Sequence, residues 1–173
     1  MLNKLIIVAH PDDETIFAGN FIRHTNGCKV VCVTNGSNPV RSREFQTVMK
    51  KLGVEEYEIW DYADVWNGDF DREKLKEDIS RVLLEHDFKM VITHNPEGEY
   101  GHTQHAALSE TVSELRSENL FFFTKGKKLS FWKRLNKWMI LFKYKSERRV
   151  VLSKEVREYI ICEKMKEKAI FSR

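Results

Sequence analysis

The sequence holds too few cysteines for a disulfide scaffold: Cys28, Cys32 and Cys162 are the only three in 173 residues, an odd number with no Cys-x-x-Cys pair. Free thiols of this kind fit a reducing compartment and behave as small buried hydrophobes. Long apolar runs are also missing. No stretch approaches the ~20 residues needed to cross a bilayer, and the apolar N-terminus runs into Pro11-Asp12-Asp13-Glu14 where a signal peptide would need a cleavage site. The expected location is therefore the cytoplasm. There is no Gly-x-Ser-x-Gly elbow for a serine hydrolase and no Gly-x-Gly-x-x-Gly loop for a dinucleotide. Without an internal repeat or a Pro/Ser-rich linker, residues 1–173 read as one domain, long enough to bury a core.

What is present begins with alternation. Leu5–Ala9, Val30–Thr34, Tyr57–Trp60 and Lys89–Thr93 are short apolar runs, the pattern of strands buried on both faces. Between and after them, helices are predicted over Thr15–Asn26, Arg41–Leu52, Asp71–His86 and about Thr103–Leu115, with Gly27 and Gly53 placed to stop the first two. Four strand–helix alternations predict a Rossmann-like, doubly wound α/β fold: a mostly parallel sheet with helices on both faces. Leu120–Phe123 and Arg149–Leu152 read as further strands, and Ser153 as the cap of a last helix running to about Ile170.

Charge is unevenly distributed. The net charge is +3, yet residues 125–149 carry ten Lys or Arg against Glu147 alone, so that stretch is +9 and the remainder −6. It also contains Phe131, Trp132, Trp138, Phe142 and Tyr144. A peripheral contact with anionic lipid, a phosphate-bearing sugar or nucleic acid is one reading. The favoured one is an amphipathic helix that packs Trp132, Leu135 and Trp138 on the core; nucleic acid is not expected.

The chemistry-bearing residues fall in two clusters, His10-Pro11-Asp12-Asp13-Glu14 after the first strand and His94 to His105 after the fourth. Ligands of open α/β sheets bind at the carboxyl ends of the strands, so both clusters are expected at one edge. Two imidazoles and a carboxylate make a catalytic zinc site with a position left for water, and the same set suits non-haem iron. His102 and His105, three apart, share a helix face. Asp12 and Asp13, being adjacent, point apart, so that one can ligate while the other takes a proton. Separately, the acidic run could be a helix cap, the His-x-x-His surface decoration, and Glu97 and Glu99 either a solvated loop face or a contact to sugar hydroxyls or an amine.

Ala9-His10-Pro11-Asp12-Asp13-Glu14, followed about 90 residues later by Tyr100-Gly101-His102-Thr103-Gln104-His105, resembles the LmbE/PIG-L superfamily of metal-dependent N-deacetylases. The first motif matches the family's letters in full; the second has Thr103 and Gln104 in place of Pro and Asp. Fainter similarity runs through Thr34-Asn35-Gly36, Arg41 and Glu44, Asp61 to Asp64, and a terminal helix at Lys164–Ser172. The resemblance implies His10, Asp13 and His105 as zinc ligands (Fe2+ or another divalent ion being alternatives), and Asp12 as the general base. It implies His102 as the group at the oxyanion, with Tyr100 beside it, and Arg41 and Asp64 as substrate contacts. In the family the residue matching Gln104 tunes the histidine matching His102, so a neutral amide implies a lower-titrating His102. The implied reaction is hydrolysis of the N-acetyl group of a small-molecule or lipid-linked amino sugar. The rivals are a weakly active sugar- or lipid-binding protein on the same fold and another metal-dependent hydrolase.

Overall fold

In the computed structural model, which describes residues 1–169, six strands form one sheet in the order β3-β2-β1-β4-β5-β6. The strands are β1 (Lys4–Val8), β2 (Cys28–Thr34), β3 (Glu56–Tyr62), β4 (Met90–Thr93), β5 (Leu120–Lys128) and β6 (Cys162–Glu167). All neighbouring pairs are parallel except the last, where β6 runs antiparallel to β5. β1 lies between β2 and β4, with Ile6 opposite both Val30 and Ile92. The chain reverses its direction of winding there, which is where open sheets form their binding crevice.

Helices cover both faces. Ile6, Val8, Val30 and Cys32 face one way and pack with residues of α1 (Asp13–Arg23), α2 (Pro39–Leu52), α6 (Phe131–Leu141) and α8 (Lys154–Ile161). Leu5, Ile7, Val31 and Val33 face the other way, toward α3 (Arg72–Glu85) and α5 (Thr103–Leu115), the latter preceded by the short turn α4 (Gly98–Gly101). This period-two division of one apolar run between two cores is why the central strands read as continuously hydrophobic. Local chemistry sets the helix ends: Asn38 accepts from the Val40 and Arg41 amides before Pro39 begins α2, and Gly53 closes it at φ 74°. Cys28 and Cys32 are buried free thiols and Cys162 is half-buried.

The C-terminal third departs from expectation in three places. Arg148–Val151 is a single helical turn, α7, not a strand; it joins no strand of the sheet, and the turn buries Val151 in the core while leaving Val150 exposed. The last helix ends at Ile161, and Cys162–Glu167 is the strand β6 rather than a terminal helix. Glu, Lys and Met favour helix in isolation, but pairing along β5 outweighs that preference. The rest of the expected terminal helix, from Ile170, lies outside the described residues. Third, Trp132 and Leu135 do not pack on the core: Trp132 is 70% exposed, and α6 instead turns Lys137, Ile140 and Leu141 inward, with Trp138 half-buried.

Candidate metal centre

The ends of β1 and β4 bring the two clusters together. His10 follows β1 directly, Asp13 opens α1, and His105 lies in the first turn of α5; all three side chains are buried. His10 Nδ1, Asp13 Oδ2 and His105 Nε2 form a near-equilateral triangle, with sides of 3.2, 3.2 and 3.3 Å. A tetrahedral ion with bonds of about 2.0–2.1 Å separates its ligand atoms by about 3.3 Å.

The hydrogen bonds behind these rings decide which nitrogens carry protons. Gln104 donates its amide to the Ala63 carbonyl at 2.7 Å and accepts from the Val65 amide at 3.2 Å, which fixes its oxygen toward His10 Nε2 at 3.0 Å. Asp64 Oδ1 lies 3.4 Å from the same nitrogen. His10 in its neutral form therefore holds its proton on Nε2 and offers a lone pair at Nδ1. Glu99 Oε2 accepts from His105 Nδ1 at 2.8 Å, leaving a lone pair on Nε2. Three lone pairs thus converge, an arrangement that a cation relieves; carboxylate–histidine–metal relays are built this way.

Glu99 also accepts from His94 Nδ1 at 2.9 Å. Burial opposes a charge on His94, but Glu99 and Asp13 outweigh it and push its pKa up to about 9. The Ala9 amide nevertheless donates to His94 Nε2 at 3.1 Å, which requires a lone pair there and makes the neutral Nδ1–H ring the one that fits. That lone pair lies 3.4 Å from Asp13 Oδ2, so Asp13, His94 and His105 form a second ligand-capable group, and His10, His102 and His105 a third.

The loop reading of Glu99 is overturned: its side chain is wholly buried, whereas Glu97 is exposed. Its other oxygen accepts from the Asn95 amide, its own amide donates to Asn95 Oδ1, and its carbonyl accepts from the Tyr159 hydroxyl at 2.6 Å. These contacts hold a non-glycine residue at φ 58°, ψ −62°, a conformation costing of order 1–3 kcal/mol. Burial opposes ionisation of Glu99, but His94 and His105 pull its pKa down to about 2. Spacing alone gave no sign of this role, because it depends on a positive-φ turn and two distant rings.

Asp12 occupies the N-cap position of α1 at φ 119° yet caps nothing: its side chain makes no cap hydrogen bond, and its buried Oδ2 has no partner. The helix-cap reading of the acidic run therefore fails for Asp12. Burial, then repulsion from Asp13, raises its pKa well above the carboxylate range. Asp13 behaves oppositely. Burial opposes ionisation, but the neighbouring His105 and His94 hold it well below that range. Two adjacent carboxylates pushed apart in pKa suit one ligand and one base. Glu14 is structural. It accepts from the Thr15 and Tyr144 hydroxyls and from the Asp12 amide, so it supports the strained residue beside it.

His102 stacks on His105 with ring centres 4.4 Å apart, and its buried Nδ1 has no partner. Burial, and then His105 and His10, lower its pKa to about 3. Gln104 is not the cause, since its side chain contacts His10, Ala63 and Val65; the expected coupling of Gln104 to His102 is replaced by one to His10. Tyr100 lies edge-on, 5.5 Å from His105 and 6.2 Å from His102. Arg41 pairs with Asp64 at 2.6 Å and donates to the Pro11 carbonyl, which puts both beside His10. One residue that motif reading missed stands at the mouth: Trp66, 61% exposed, has its ring centre 4.6 Å from that of His102.

Residues 5–115 match the family model of the GlcNAc-PI de-N-acetylases, PIG-L. The chain belongs to this family. An uncharacterized protein of Acanthamoeba polyphaga mimivirus is 39% identical over 138 residues, covering 70% of this chain and 61% of its own. A probable N-acetylglucosaminyl-phosphatidylinositol de-N-acetylase of Schizosaccharomyces pombe is 28% identical over 125 residues, covering 64% and 50% respectively. The match therefore spans between half and two thirds of the length of these relatives. Two crystal structures share the fold: a conserved protein of Thermus thermophilus, at TM-score 0.69 and 18% identity over 92% of this chain and 85% of that one, and GalB, the 4-carboxy-2-hydroxymuconate hydratase of Pseudomonas putida, at 0.59 and 17% over 92% and 83%. Family membership supports a deacetylase-like role. The His/Asp cluster could bind a metal ion, and no helix among the described residues is long and apolar enough to cross a membrane.

Proposed function

We propose that this member of the PIG-L family hydrolyses the N-acetyl group of an amino-sugar conjugate, with His10, Asp13 and His105 holding a divalent cation, zinc by preference. The observation that carries the reading is the triangle of lone pairs at 3.2–3.3 Å, set against an adjacent, unpartnered Asp12 carboxylate. When bound, such a cation polarises the amide carbonyl and acidifies a water molecule. Asp12 takes the proton of the attacking water; burial and the neighbouring Asp13 raise its pKa, which makes it a stronger base than an ordinary carboxylate.

His102, neutral because burial and its neighbours lower its pKa, keeps an N–H free to donate to the oxygen that gains charge as the carbonyl becomes tetrahedral. Tyr100 closes the same side of the site. Arg41 and Asp64, rigid through their ion pair, offer hydroxyl-binding donors and acceptors on the His10 side. Trp66 gives the sugar an apolar face to rest on.

The test is to screen metal-quantified protein against N-acetylated sugars, sugar nucleotides and glycolipids for released amine. Turnover that requires one bound divalent ion is expected. Metal-loaded protein silent on every such substrate would favour the binding-protein alternative. Activity that survives with iron but dies on its replacement by zinc would indicate different metal chemistry.

A further inference from the structure

Helix α6 carries apolar side chains on two opposite faces. Ile140 and Leu141 point into the core together with the aliphatic stem of Lys137, whose ammonium is paired with Glu163 at 3.0 Å and reaches the Tyr159 carbonyl at 3.3 Å. On the outer side, Phe131, Trp132, Leu135, Met139 and Phe142 are all exposed, Phe131 by 62% and Trp132 by 70%. At about 100° per residue these five fall within an arc of roughly 100°, with no charged residue inside it. A solvated surface helix would place its lysines there. Here the helix's Lys137 is buried and faces inward, and its large apolar groups face out.

Cations frame this arc at both ends. Beyond its start, Lys125, Lys127, Lys128, Lys133 and Lys164 line a cleft of about 660 Å³ together with Glu163, which is paired with Lys137, while Lys125 is paired with Glu158. Beside its end, Arg23, Lys51 and Lys143 line one of about 520 Å³ whose floor is Met139, Ile140 and Phe142. Lys127, Lys128, Lys133, Lys143, Arg23 and Lys51 make no ion pair with a carboxylate among the described residues. An apolar stripe with Phe and Trp, bordered at both ends by cations without carboxylate partners, complements a surface that offers acyl chains beneath anionic phosphates.

We infer that α6 is a membrane-docking helix that lies in the interface of an anionic bilayer, with its Phe131–Phe142 stripe among the acyl chains and the two cationic clefts on lipid phosphates. The inference stands on α6 and its flanks and does not depend on the reaction catalysed. A lipid surface is favoured over a second copy of this chain because the same cations would meet each other across a symmetric contact.

The test is co-sedimentation of the full chain with phosphatidylcholine vesicles with and without phosphatidylserine, alongside light scattering without lipid. Binding to the anionic vesicles, weakened by salt, with a monomer in solution is the expected result. Trp132 fluorescence should be quenched by lipid brominated near the headgroup, and Trp132→Phe should remove that quenched component. Phe131→Ser, Leu135→Ser and Phe142→Ser together should lower partitioning roughly a hundredfold, while Lys128→Gln with Lys143→Gln should lower it about twentyfold at low salt. All five positions are exposed, so circular dichroism of the variants should match the parent. No vesicle binding, equal binding to neutral vesicles, binding that survives the serine variant, or a dimer that forms through this face in place of vesicle binding would each overturn the inference.

Discussion

Asp12 stands at the N-terminus of α1, and its side chain does nothing to cap the helix. Its φ of 119° is strained and its carboxylate is buried with an oxygen unpartnered, two costs that the fold retains. Asp12→Asn removes the charge and tolerates a positive φ at least as well. Thermal denaturation should therefore show the variant at least as stable as the parent. Turnover should fall by about 10²–10⁴, with metal content unchanged by elemental analysis; an Asn variant of parental rate would remove Asp12 from the role of base. Glu99 calls for a different measurement, because it acts through His94 and His105 and touches no reacting atom. In Glu99→Gln an amide N–H₂ competes with the acceptor that both Nδ1–H groups need. A zinc affinity lower by about 10–100-fold is expected from competition titrations, with kcat recovered at saturating zinc. Trp66→Ala should raise KM more than it lowers kcat, since an exposed indole at the rim binds the sugar without meeting the scissile bond.

The β2–β3–α3 corner holds the clearest dependence on pH. Lys29 of β2 is buried and is satisfied by Glu56 and Glu58 of β3, each at 2.6 Å, and by Glu85 of α3. Burial raises the pKa of Glu58, but hydrogen bonds from Arg81, Lys29 and Trp60 outweigh it and hold it at about 2. A depressed carboxylate contributes stability above its ordinary pKa of 4.5 and loses it as the pH falls toward 2. Melting temperature should decline across that window, and Glu58→Gln should flatten the decline while lowering stability at neutral pH. Elements of this kind, local and apolar, were legible. The runs at β1, β2 and β4 announce themselves in sequence, and the pairing of β1 with β4 brings His10 and His105 to one edge. β6 did not. Its Glu163, Lys164, Lys166 and Glu167 read as helix, but they serve an edge strand that charges protect from further pairing. The buried roles of Glu14 and Glu99 were equally hidden, because Tyr144 and Tyr159, which hold them, come from the C-terminal third beyond residues 5–115.

Across the whole molecule, one end of the sheet concentrates Asp12, Asp13, Glu14 and the Glu99 side chain with His10, His94, His102 and His105, all buried. Such a set opposes folding unless charges are paired, because buried carboxylates and converging lone pairs repel. Stability should therefore depend on the ion more than the size of the site suggests. An ion that binds only the folded chain adds RT ln(1 + [L]/Kd), about 2.7 kcal/mol at a hundredfold excess over Kd. For a chain of this length that corresponds to a rise of roughly 5–11 °C in Tm. Calorimetry of chelator-treated protein titrated with zinc should show that rise, and Asp13→Ala should abolish most of it. Asp12→Ala should keep it, since Asp12 stands beside the triangle and not in it. A Tm indifferent to zinc, in a protein that retains none through gel filtration, would mean that His10, Asp13 and His105 meet for packing, and the proposed hydrolase would lose its centre.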